Sequence, residues 1–131
     1  MTTRTATCSC GQLTATVSCE PLRVSICHCL ACQRRTGSVF AVQARFPMVD
    51  FHSTGQASEY VRVGDEGSHG RFRFCPSCGA IVWYTIDEQP EIVAIPVGAF
   101  ADPGFIQPWV SVYEERMHPW VTLPADIEHH A

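Results

Sequence analysis

Seven of the eight cysteines in this 131-residue chain fall into three short groups whose spacing suits metal ligation. Cys8-Ser9-Cys10-Gly11 is a CxCG, Cys27-His28-Cys29-Leu30-Ala31-Cys32 a CxCxxC, and Cys75-Pro76-Ser77-Cys78-Gly79 a CPxCG. A CxxC turn sets two sulfurs where one tetrahedral zinc ion can share them, about 2.3 Å from each. Glycine after the second cysteine permits the positive φ that turns backbone N–H groups toward the sulfurs. The competing reading of such a pair, a redox dithiol, belongs to a βαβ setting that this strand-rich sequence lacks.

A CxxC supplies half of a tetrahedral site, so the partition of the seven thiols decides the chemistry. Joining Cys8 and Cys10 to Cys75 and Cys78 gives a closed four-sulfur site. It leaves Cys27, Cys29 and Cys32 as three ligands with a fourth position open. Closed sites are structural, whereas three ligands plus an open position is the arrangement of catalytic zinc. Spacing also permits a ribbon site from Cys29, Cys32, Cys75 and Cys78, which would strand Cys8, Cys10 and Cys27. Cys19 falls on the apolar phase of a strand and reads as a buried free thiol. His28, between two candidate ligands, is expected to point away from the metal and pack. His118 reads as a loop histidine.

The elements that must carry these groups are mainly strands. Leu13, Ala15, Val17 and Cys19 alternate with Thr14, Thr16 and Ser18, and the period continues through Leu22, Val24 and Ile26. Residues 39–46, 59–63 and 71–74 read as further strands, 80–86 and 91–97 as a hairpin across Asp87-Glu88-Gln89-Pro90, and 109–113 as a last strand. Only residues 31–36 suit a helical turn. The polar, glycine-rich stretch 65–70 is the expected mobile loop, and residues 127–131, with His129-His130, are expected to be a frayed end. Trp83, Trp109 and Trp120 are expected in the core.

The length suits one domain, 1–131. The formal net charge is −4, and seven ionised thiolates outweigh two divalent ions, so metal loading makes the chain more acidic still. With no long basic run, nucleic acid is excluded as a partner. No apolar run approaches the ~18 residues needed to span a bilayer, which excludes a membrane role. The first residues lack the apolar stretch of a signal peptide, so a cytoplasmic location is expected, where clustered cysteines read as metal ligands before disulfides. All nine basic residues are Arg, and neither Lys nor Asn occurs. That composition points to a GC-rich, bacterial genome.

CxCG, then CHCxxCxRxTG, then FCPxCG, in this order from Cys8 and followed by Pro119-Trp120, resembles the glutathione-dependent formaldehyde-activating enzyme family, which includes centromere protein V. The resemblance implies one zinc at Cys8, Cys10, Cys75 and Cys78, and a second at Cys27, Cys29 and Cys32. It also implies stacked, twisted antiparallel β-sheets pinned by metal. The activity it implies is a carbon–sulfur lyase run in reverse, joining glutathione to formaldehyde as S-hydroxymethylglutathione.

That chemistry needs a thiolate at neutral pH, and a free thiol with a pKa of about 8.5 is only a few per cent ionised there. An open zinc position can bind and ionise it, which gives Cys27, Cys29 and Cys32 a catalytic role through the metal. Glutathione also carries two carboxylates, which call for guanidinium forks. Arg34 and Arg35, beside Cys32, are the candidates, with Arg71 and Arg73 behind them. The partners expected are thus a small thiol such as glutathione and a small aldehyde. The rival reading is a non-catalytic, zinc-stabilised binding scaffold.

Overall fold

The structure, a computed structural model, describes residues 2–64 and 66–131. Strands β1 (Arg4–Thr7), β2 (Thr14–Val17) and β5 (Phe51–Thr54) make a three-stranded antiparallel sheet in the order β1-β2-β5. The remaining strands are β3 (Arg23–Cys27), β4 (Ala41–Pro47), β6 (Ser58–Val63), β7 (His69–Phe74), β8 (Ile81–Ile86), β9 (Ile92–Pro96), β10 (Val110–Val112) and β11 (Glu128–His129). They form an eight-stranded sheet in the order β11-β10-β3-β4-β9-β8-β7-β6. This sheet is antiparallel from β3 to β6, and parallel where β10 joins β3 and β11 joins β10.

Period-2 alternation explains the core. Ala6, Leu13, Ala15 and Val17 from the small-sheet side meet Val24, Ala44, Phe46, Val82, Val93 and Ile95 of the large sheet in one buried cluster. Cys8 and Cys75 belong to that cluster, so the four-cysteine group stands where the two sheets meet. The sheet spacing is kept at one corner by Gly55. Its φ is 98° and a Cβ there would overlap the Gln12 carbonyl, so the turn after β5 can close on the CxCG loop only with glycine.

The one α-helix among the described residues, α1 (Leu30–Thr36), follows the central cysteines directly. Cys29 is its N-cap, with Sγ accepting from the Cys32 N–H at 3.3 Å, and Gly37, at φ 73°, ends it. No helix among the described residues is long and apolar enough to cross a membrane.

Three expectations need correction. The tail is not frayed: the Glu128 N–H donates to the Trp109 carbonyl and the His130 N–H to the Ser111 carbonyl, while Ile127 is buried. With the Glu114 N–H donating to the His130 carbonyl, three backbone bonds to an otherwise open edge hold it. Trp109 and Trp120 are not core residues, being 41% and 69% exposed, because Trp109 stands just before β10 and Trp120 lies in a turn of the C-terminal segment. Only Trp83 packs inward, against Phe51 at 4.9 Å between ring centroids. Of the expected mobile loop 65–70, Asp65 lies outside the described residues. His69 and Gly70 already pair within β7, and the Gly64 N–H donates to the Ser68 carbonyl at 2.7 Å.

Candidate metal centres

Cys8 follows β1, Cys10 lies in the turn into β2, and Cys75 and Cys78 lie in the turn between β7 and β8. A register irregularity at Arg73/Phe74 bends β7 just before Cys75 and re-aims the chain into the turn. The four sulfurs come within 4.8 Å of one another. Cys8 and Cys10, and Cys10 and Cys75, are separated by 3.6 Å between sulfurs. A tetrahedron with ~2.3 Å metal–sulfur bonds has an edge of about 3.8 Å, so a four-thiolate zinc fits this donor set.

The surrounding donors are those a thiolate needs. The Leu13 N–H donates to Cys8 Sγ at 3.3 Å and the Ser77 N–H to Cys75 Sγ at 3.4 Å. Gln12 Nε2 reaches the same Cys75 sulfur at 3.0 Å. The Gln12 bond, with the N–H groups of Cys78 and Ser77 behind it, pulls the Cys75 thiol from 9.0 down to about 6. Gln12 also clamps Gln56 by donating to its carbonyl and accepting from its N–H, each at 2.8 Å. Sequence reasoning missed Gln12. Its place directly after CxCG was the available signal, since a polar residue there must face either solvent or sulfur.

Cys27 ends β3, and Cys29 and Cys32 straddle the start of α1. Their three sulfurs also come within 4.8 Å of one another, a trio that fits a three-thiolate metal site. The Cys27 and Cys32 thiols donate to Cys29, whose pKa falls to about 2, and the Arg62 charge assists. Cys27 is pushed up, first by that bond to Cys29. The two groups therefore divide the seven cysteines in the way coordination number favoured; no sulfur of the ribbon alternative is shared between them.

His28 is fully buried and turns from the trio, its Nε2 lying 3.1 Å from Ser111 Oγ and its ring edge-on to Phe40. Burial lowers its pKa below 6.5. His118 lies 3.0 Å from Gln33 Oε1, and Gln33 Nε2 donates to the His28 carbonyl. Gln33, also missed, thus ties α1 to the C-terminal segment. Cys19 is half-buried past the end of β2, and its thiol is raised by burial and by Asp50.

Between α1 and the β6–β8 hairpins lies a cavity of about 580 Å³, within the usual range of ligand pockets. Arg34 and Arg35 line it from α1, Arg62 from β6, and Phe72 and Phe74 from β7; Gly79, next to Cys78, closes one side. Arg71 and Arg73 do not back this pocket. They occupy the opposite face of β7, where Arg71 pairs with Glu59 and Asp87, and Arg73 with Glu59. Strand alternation puts Phe72 and Phe74 on one side and both arginines on the other. Arg62 takes the place expected of them. Among the described residues, Arg34, Arg35 and Arg62 form no salt bridge, so an acidic protein keeps three guanidiniums without a carboxylate partner around one cavity.

Residues 3–116 match a family model described as glutathione-dependent formaldehyde-activating enzyme. Among solved structures, a Rhodobacter sphaeroides protein is similar at 24% identity and a TM-score of 0.57, over 78% of this chain and 90% of that one. At that identity the likeness speaks for the fold alone. Comparison with curated proteins finds no match.

Proposed function

The chain belongs to the glutathione-dependent formaldehyde-activating enzyme family, and on that premise we propose that it joins glutathione, or a related anionic thiol, to formaldehyde or another small aldehyde. The observation that carries this reading is a cavity whose wall includes Ala31, between Cys29 and Cys32, and three guanidiniums without a carboxylate partner. A zinc ion held by the trio would supply an open coordination position at which a substrate thiol ionises.

The chain's own residues bind and orient. Arg34 and Arg62 offer guanidinium forks for carboxylates, and Phe72 and Phe74 give the thiol's apolar atoms a wall. The Cys32 N–H fixes the Cys29 sulfur, and Gln33 fixes α1 against the C-terminal segment. The reaction balances without a redox partner. The thiolate sulfur forms a bond to the aldehyde carbon, the carbonyl π pair moves to oxygen, and the proton lost by the thiol returns to that oxygen.

The four-sulfur group serves structure in this reading, because four thiolates leave no position for substrate. Exchange NMR on the glutathione–formaldehyde equilibrium tests the proposal. The metal-loaded protein should speed interconversion of free glutathione and its hydroxymethyl adduct. No acceleration at full metal occupancy ends the enzyme reading and leaves the zinc-stabilised scaffold.

A further inference from the structure

We propose that Arg35 is a positioning residue for the three-cysteine centre, holding the Cys32 sulfur, and that it is not part of the carboxylate clamp. Arg35 follows Cys32 by three residues on α1, a spacing that puts both side chains on one helix face. Its Nη2 lies 3.6 Å from Cys32 Sγ, within reach of an N–H···S bond. The guanidinium is then fixed by two aromatic rings. Its carbon lies 4.9 Å from the Phe72 centroid and 5.2 Å from that of Tyr84, and the two rings pack on each other at 4.7 Å. Such contacts hold a cation in place when its surroundings are partly dry.

The remaining donors exclude a clamp. Bidentate capture of a carboxylate uses two parallel N–H groups along one edge of the guanidinium. In Arg35 the Nε edge is closed, because Nε is buried and has no partner. The end-on edge has already given Nη2 to sulfur. Arg62 also has its Nε buried and lies 5.7 Å from the Phe72 centroid, but it forms no salt bridge among the described residues, and Arg34 is exposed on the cavity rim. Those two keep forks to offer.

The function of such a cation follows from charge. Three thiolates around one divalent ion carry a net negative charge in a partly buried site, and a fixed guanidinium on one sulfur offsets it. Outer-shell donors of this kind typically change metal affinity by about 10–100-fold. The inference rests on reading Cys27, Cys29 and Cys32 as a metal centre, but not on which thiol or aldehyde the enzyme uses.

Cobalt(II) titration of the reduced full-length protein tests it without substrate. Arg35→Met removes both charge and donor, Arg35→Gln keeps a donor without charge, and Arg35→Lys keeps a cation. The four-sulfur centre, filled in the same titration, reports whether each variant is folded. Arg35→Met is expected to weaken the central site at least tenfold in chelator competition and to shift its sulfur-to-cobalt charge-transfer band to lower energy. Arg35→Lys should recover part of the affinity. Glutathione binding to the metal-free protein should be unchanged in Arg35→Met and weakened in Arg62→Ala. An Arg35→Met protein with wild-type cobalt affinity and spectrum, or with a loss confined to glutathione binding, overturns the assignment. So does a wild-type protein whose central cysteines take no cobalt. Failure of the aldehyde reaction alone bears on the proposed function and leaves this inference standing.

Discussion

Replacing Cys78 should strongly destabilise the protein, whereas replacing Cys29 should only empty a site. The difference lies in the chain each group ties together. Cys10 and Cys75 are 65 positions apart with sulfurs 3.6 Å from each other, so an ion there closes a long loop across both sheets. By the cross-link model, closing a loop of that length removes about 4 kcal/mol of unfolded-chain entropy, against about 2 kcal/mol for the short Cys27–Cys32 segment. The contrast is sharper than those figures, because three cysteines in one loop can keep their ion in the unfolded chain, which cancels its stabilising effect. Ligands brought together only by folding cannot, so their metal affinity is folding free energy. Cys78 is exposed, so Cys78→Ser opens no cavity and reports on the metal alone. For a domain of this size about 4 kcal/mol corresponds to a melting temperature lower by roughly 15 °C. Cys29→Ser keeps a good N-cap for α1 and should melt within about 5 °C of wild type while losing one metal ion. Circular dichroism melts with native mass spectrometry on the reduced, zinc-loaded proteins read both quantities. If Cys29→Ser collapses while Cys78→Ser melts like wild type, the structural and catalytic sites are reversed.

Arg62→Ala should weaken glutathione binding by about 1.5–3 kcal/mol, the range for hydrogen bonds to charged groups, without moving the melting temperature; an unchanged calorimetric titration refutes its role. Gln12→Ala removes the bond to Cys75 and the Gln56 clamp and should cost about 1–3 kcal/mol. In the metal-free protein it should also return the Cys75 thiol upward from about 6, visible in thiolate absorbance against pH; an unshifted titration refutes this. His28 is held neutral by burial below its ordinary 6.5, so folding disfavours its protonation. Its contribution is complete above 6.5 and is lost as pH falls from there toward the lower folded value. Urea midpoints of the wild type should therefore fall from pH 7 to pH 5 more steeply than those of His28→Gln, by up to one proton; parallel slopes contradict it.

The sequence carried the cysteine grouping because ligand spacing is local and the chemistry of sulfur narrows the choice. Strands with strict alternation, such as Arg71 to Phe74, were legible for the same reason. Alternation does not say which face a neighbour covers, so Arg71 and Arg73 were assigned to the pocket that Phe72 and Phe74 line. Arg62 was hidden because its place depends on pairing opposite Gly70, a long-range fact. The short strands β1 and β5 carry too few residues to show a period, and β11 exists only through parallel bonds to β10. The tryptophans misled because a large apolar ring was equated with burial, whereas Trp109 stands just before β10 and Trp120 in a turn.

The order of the large sheet has a consequence for the chain as it is synthesised. β3, made early, lies inside the sheet between β4 and β10, and β10 adds to it in parallel only after most of the chain has emerged. If the CxCxxC segment at the end of β3 binds a metal as proposed, it has all three of its ligands as soon as it leaves the ribosome. The CxCG segment, although made earlier, must wait for Cys75 and Cys78. A nascent chain therefore carries these thiols before it has a fold to shelter them, and on the proposed reading a metal ion captured early at Cys27, Cys29 and Cys32 would protect those sulfurs from oxidation until the sheet is complete.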